Sequence, residues 1–165
     1  MNRIELRFTP FPKKQLRAVL EKNLIRINEL AERFLADPRF DTEAFSGTAR
    51  IVVVSLRELG FEDGAALPEI VRRAGLLGLK LCRPSAGLYL RLAWRDQPVS
   101  GNTILSGQHR SPDGAVTVLS EPLEEDDAFP KGLYLRNVGG ELWLRGYRCD
   151  RSHLWSPDDL FALEE

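Results

Sequence analysis

Ile4, Leu6 and Phe8 alternate with Arg3, Glu5 and Arg7, a period of two that predicts a half-buried strand over 3–8. Thr9-Pro10-Phe11-Pro12 ends it, and Pro12 suits the first turn of a helix, where a missing N–H costs no intrahelical bond. Leu16, Val19, Leu20, Leu24, Ile27, Leu30, Ala31, Phe34 and Leu35 recur at steps of three and four. That spacing predicts one long amphipathic helix, closed by Asp37-Pro38. Residues 38–49 read as a loop or short helix, and the β-branched run over 50–56 as a central strand. Pro68 opens a second, shorter helix with Ile70, Val71, Ala74 and Leu77 on its buried side and Gly78 as its stop.

Beyond Gly78 the pattern changes to strands. Residues 79–82 form a short one, and Leu88, Leu90, Leu92 and Trp94 alternate with Tyr89, Arg91, Ala93 and Arg95 in another. Residues 103–108 and 115–120 flank Ser111-Pro112-Asp113-Gly114, which suits a type I turn, and 124–127 is an acidic loop. The clearest signal is a hairpin over 133–147, where Gly139-Gly140 can take the positive φ angles of a two-residue turn. That turn sets the register: Asn137 opposite Leu142, Arg136 opposite Trp143, Leu135 opposite Leu144, Tyr134 opposite Arg145. One face then carries Leu133, Leu135, Leu142 and Leu144, and the other carries Tyr134, Arg136, Trp143, Arg145 and Tyr147. Gly-Leu-Tyr-Leu-Arg occurs twice, at 87–91 and 132–136, and reads as two strands with Leu inward and Tyr/Arg outward.

The expected architecture is α+β, with a long N-terminal helix and a second short helix packed on a mainly antiparallel β-sheet. It forms a single domain over 1–165: strand and long helix in 1–40, strand and second helix in 50–78, and a β-rich region in 79–163. Hydrophobic residues make up 43% of the chain, which fits a globular core. Twenty-three basic against 24 acidic residues leave a formal net charge of -1, so no global positive field draws the chain to nucleic acid. No apolar run is long enough to span a membrane, and the N-terminus has no signal-peptide pattern, so a cytoplasmic location with Cys82 and Cys149 as reduced thiols is expected.

Five stretches carry a resemblance: LGFEDGAALPEIVRRAGLLGLKLC (59–82), LRLAWRDQP (90–98), SEPL (120–123), GELWLRGY (140–147) and WSPDDLFAL (155–163). Together they resemble a family of small bacterial proteins with no assigned activity, from Glu58 onward. The resemblance implies a helix followed by strands and supplies no catalytic motif. That family more often has Pro-Glu-x-Gly-Pro after the Cys of its LGLxLC motif, where this chain has Arg83-Pro84-Ser85-Ala86-Gly87-Leu88.

Tyr89, Arg91, Arg95, Tyr134, Arg136, Trp143, Arg145 and Tyr147 form the predicted binding face. Guanidinium groups stack on aromatic rings and fork onto carboxylates, and Tyr, Trp and Arg dominate interface energetics. The plainer alternative is a set of cross-strand pairs that only stabilise the sheet. The expectation is a binding or regulatory module with a protein partner and no cofactor, rather than an enzyme. A small hydrolase or transferase using His109, Asp150 and His153, with Arg148 or Arg151 holding an anion, ranks behind it. A single-stranded nucleic-acid binder ranks third. Cys82, His109, Cys149 and His153 lack a CxxC knuckle and are not assigned a metal, while Glu121, Asp158 and Asp159 read as solvated carboxylates. The chain has no phosphate-loop glycine motif.

Overall fold

The computed structural model of the protein describes residues 1–101 and 111–165. Nine strands are β1 (Asn2–Phe8), β2 (Ile25–Ile27), β3 (Gly47–Ser55), β4 (Ala65–Ala66), β5 (Val116–Val118), β6 (Gly132–Val138), β7 (Glu141–Tyr147), β8 (Leu154–Trp155) and β9 (Leu160–Glu164). Four short α-helices, α1 (Leu16–Lys22), α2 (Glu29–Ala36), α3 (Leu67–Leu76) and α4 (Ala86–Ala93), and a single 3-10 turn at Lys13–Gln15 complete the described elements. Seven strands form one sheet in the order β1-β3-β9-β5-β6-β7-β2, curled into a half-barrel, and β4 and β8 form a separate ribbon. The sheet is mixed, since β5 runs parallel to β9 and β2 runs parallel to β7. The expected strand over 103–108 lies outside the described residues.

The long N-terminal helix predicted over 12–37 is not formed. Asn23 closes α1, its side chain donating to the Val19 carbonyl at 2.8 Å, and Leu24 takes a left-handed φ of 54°. Ile25, Arg26 and Ile27 then add a strand to the edge of β7, where β-branched residues fit the pleat. Asn28 restarts the helix, its Oδ1 accepting from the Ala31 N–H at 2.8 Å. The apolar spacing of three and four runs through this break because both α1 and α2 bury the same side of the chain. Periodicity alone cannot register a strand three residues long.

The predicted strand over 88–95 is also overturned. It is α4, buried almost all round, and its run of Leu and Ala contains no β-branched residue to favour a pleat. The repeated pentapeptide therefore folds in two ways, as helix at 87–91 and as strand at 132–136. The two copies pack on one another: a Cβ on Gly87 would lie 2.9 Å from the Leu133 Cβ. Residues 79–82 make only isolated bridges, Lys80 with Glu164 and Cys82 with Ser120. Leu77, expected on the buried side of α3, is exposed. Residues 160–164, not read as an element in the sequence, supply β9, which lies between β3 and β5.

The hairpin register is as expected, including Arg136 opposite Trp143 and Leu135 opposite Leu144. Gly139 and Gly140 take φ angles of 59° and 92° at its turn. One sheet face, with Leu6, Phe8, Ile51, Val53, Leu133, Leu135 and Leu144, packs under α1, α2 and α4. On the other face Val52, Val54, Phe161 and Leu163 pack under α3 and Trp155. Among the described residues no helix is long and apolar enough to cross a membrane.

Candidate functional site

The predicted binding face is divided by the fold. Tyr89 and Arg91 belong to α4 and are buried against the leucine face, while Arg95 follows that helix and is exposed. The Tyr89 hydroxyl is within 3.0 Å of the Thr9 carbonyl and 2.9 Å of the Thr42 carbonyl, so it ties two loops together. Arg91, with 0% exposure, donates to Gln97 Oε1 at 2.5 Å, to the Arg136 carbonyl at 3.3 Å and to the Trp94 carbonyl. Gln97 passes the network on through its Nε2 to the carbonyls of Leu135 (3.2 Å) and Gly114 (3.0 Å). Burial pulls the Arg91 guanidinium down to about 10, still cationic at neutral pH. Its partners are backbone and amide oxygens on and beside β6, which is a structural role and not a docking one.

Arg136 does lie on the Tyr/Trp face, yet it is 1% exposed. Ser100 covers it, pairing with Val138, and the guanidinium donates to the Gly101 carbonyl at 3.1 Å and the Ser100 Oγ at 3.4 Å. Its pKa is lowered mainly by burial and then by the nearby Arg145, partly offset by Tyr134 and Asp113. The half-buried remainder of the face is Tyr134, Trp143, Arg145 and Tyr147. The Arg145 guanidinium stacks 4.1 Å from the centre of the Trp143 ring, and Arg26 approaches the same ring at 5.8 Å while pairing with Glu141 at 2.9 Å. The buried Nε atoms of Arg91, Arg136 and Arg145 and the indole nitrogen of Trp155 have no hydrogen-bond partner.

Beside this face lies a cleft of about 300 Å³. Tyr134 and Thr117 come from the sheet, Tyr147 and Arg148 from the end of β7, and His153 and Trp155 from the following turn and β8. Trp155 is held by Tyr147 and Phe161, ring centres 5.8 and 5.1 Å away, and His153 sits edge-on to it at 4.9 Å. Gly64, at a φ of 88°, lets β4 close on β8, because a Cβ there would lie 2.2 Å from the Trp155 carbonyl oxygen. Comparison with family models, curated proteins and solved structures finds no match.

Of the other predicted residues, His109 lies outside those described. Asp150 and His153 are neighbours, but Asp150 Oδ1 is engaged by the N–H of Ser152 and of His153 at 2.8 and 2.9 Å and by the Ser152 hydroxyl at 2.7 Å. These bonds hold its pKa below the usual carboxylate range and fix the turn that presents His153. Cys82 and Cys149 belong to the two opposite cores, and burial raises their thiols to about 12 and about 11. No group of three or more His, Cys, Asp or Glu able to hold a metal occurs among the described residues. Sequence reasoning passes over Arg26, because the alternation Ile25-Arg26-Ile27 that signals it also fits the helical spacing.

Proposed function

We propose that this protein is a cytoplasmic binding module that docks a protein partner on the outer face of β6 and β7, through Trp143, Arg145, Tyr134 and Tyr147. The observation that carries this reading is the half-buried Trp143 ring, approached by the guanidinium groups of both Arg145 and Arg26. A stacked aromatic already held by its neighbours loses little side-chain freedom on docking, and the Arg145 guanidinium stacked on it suits an acidic contact. Two buried, unpaired cysteines fit a reducing compartment.

A photo-crosslinking residue placed at Trp143 in the source cells identifies what lies on the face, with the exposed Leu154 as the control position. The captured partner is then purified and titrated against the native chain, Trp143→Ala and Arg145→Glu. Either change should weaken binding by at least about tenfold, the scale of an interface anchor, with the far-ultraviolet spectrum unchanged. Arg136→Glu is unsuitable, because it buries a carboxylate. Unchanged affinity in both variants, capture of nucleic acid alone, or no crosslink above the control each defeats the reading.

A further inference from the structure

The cleft lined by Tyr134, Tyr147, His153 and Trp155 is distinct in chemistry from the stacked Trp143 surface. Among the described residues lining it there is no carboxylate, and Arg148, which also borders an adjoining groove with Glu29 and Glu32, is an exposed cation that pairs with none of the lining residues. The closest acidic side chain in sequence, Asp150, is already satisfied by its own turn. Trp155 is 6% exposed and its indole N–H is unpaired, a donor left without an acceptor inside a wall of rings. An unsatisfied buried donor is costly, and this one is closed to solvent, so an acceptor gains from it where the ring edge gives way toward the cleft. The hydroxyl groups of Tyr134 and Thr117 add donors around the same space, while the Tyr147 hydroxyl turns away toward Gly132. A cavity of about 300 Å³ is at the small end of ligand sites and suits one substituted ring.

We propose that this cleft binds an oxyanion carried on a single aromatic ring, a phosphate ester or carboxylate, with Arg148 meeting the charge, Trp155 donating its indole N–H and the tyrosine rings flanking the body. This site shares Tyr134 and Tyr147 with the proposed docking face but does not depend on a protein docking at Trp143. The same chemistry could arrive as a free small molecule or as a modified side chain of a partner, and the test separates the two.

The probe is phenyl phosphate, added to the full chain at constant ionic strength and followed by the indole N–H resonances of the three tryptophans. Trp155→Phe assigns the Trp155 signal, which should move downfield and saturate with a Kd of about 1 mM or tighter. Arg148→Gln, at an exposed position, should keep the native spectrum and weaken binding at least about tenfold. Neutral benzyl alcohol should bind at least about tenfold more weakly than phenyl phosphate. A phosphotyrosine peptide that exceeds phenyl phosphate by more than about tenfold, with the surplus lost in Trp143→Ala, assigns the group to a protein segment. Equal affinities assign it to a free ligand. Absence of a saturable shift at Trp155, or an Arg148→Gln variant that binds as tightly as the native chain, overturns the proposal.

Discussion

Gly146→Ala tests how closely α2 is seated on the sheet. A Cβ at this position would lie 2.5 Å from the Leu30 carbonyl carbon and 2.6 Å from the Ala31 nitrogen. Both atoms belong to helix backbone, so no side chain can swing away and the first turn of α2 has to lift. Lifting it breaks the two bonds that tie Asn28 to the strand, from the Gly146 N–H to Oδ1 at 2.8 Å and from Nδ2 to the Gly146 carbonyl at 3.2 Å. Overpacking of about 1–3 kcal/mol and two hydrogen bonds of about 0.5–1.5 kcal/mol each give a loss of about 2–6 kcal/mol. That is a large fraction of the stability of an ordinary domain, and the melting temperature should fall by about 2–4 °C for each kcal/mol. Urea unfolding at neutral pH measures it directly. A loss below about 0.5 kcal/mol, the scale of an indifferent surface change, would show that α2 does not rest on β7 at this separation.

Arg91→Met should destabilise the fold by about 3 kcal/mol, since the Gln97 side chain and the Arg136 carbonyl lose a charged donor in a buried place. Arg91→Lys should recover little of it, because an ammonium cannot reproduce the planar fork; an unchanged urea midpoint for either variant would refute this assignment. The pH dependence follows from the direction of each shift. Asp37, Glu58, Glu124, Asp150 and Glu165 have carboxyl groups held below their ordinary values, chiefly by hydrogen bonds from Arg39, the Ser55 N–H, Arg39, Ser152 and Arg3 respectively. Their contribution is complete above the unfolded value of about 4 and is lost as pH falls through the lower folded values. Cys82, Cys149 and Tyr147 are raised by burial, so their contribution is complete below the unfolded thiol value of about 8.5 and declines as pH rises towards 12. A flat unfolding free energy between about pH 8.5 and 11, or rapid labelling of both thiols in the native chain at pH 8, would contradict the burial of these groups.

Much of the sheet was legible because its signals are local. The alternation at Ile4, Leu6 and Phe8 and the valine run in β3 name their own faces, and Gly139-Gly140 sets a register that needs no distant information. The N-terminal helix failed for a physical reason: Leu24, Ile27 and Leu30 keep a helical spacing while the chain between them is pulled into a strand by β7, more than a hundred residues away. The binding face failed by half for a related reason. Alternation put Arg136 on the same side as Trp143 correctly, but nothing in residues 132–147 says that Ser100 will lie over it. The cleft depends on the turn that follows β7 and on the β4–β8 clamp, so the sequence picks out Tyr134, Tyr147, Arg148 and His153 separately but not that they meet around Trp155.

The twice-used pentapeptide carries a further implication for how this chain reaches its shape. Five identical letters become a coil of helix in one place and an extended ribbon in the other, so their intrinsic preference must be close to neutral. What tips the first copy is its company, including a bond from Arg91 to a carbonyl 45 positions downstream. The second copy has its partner strand close by across the Gly139-Gly140 turn, whereas the first has no such local partner. This corner of the molecule is settled only when both have met, and a fragment cut from either place would carry no memory of which form it had.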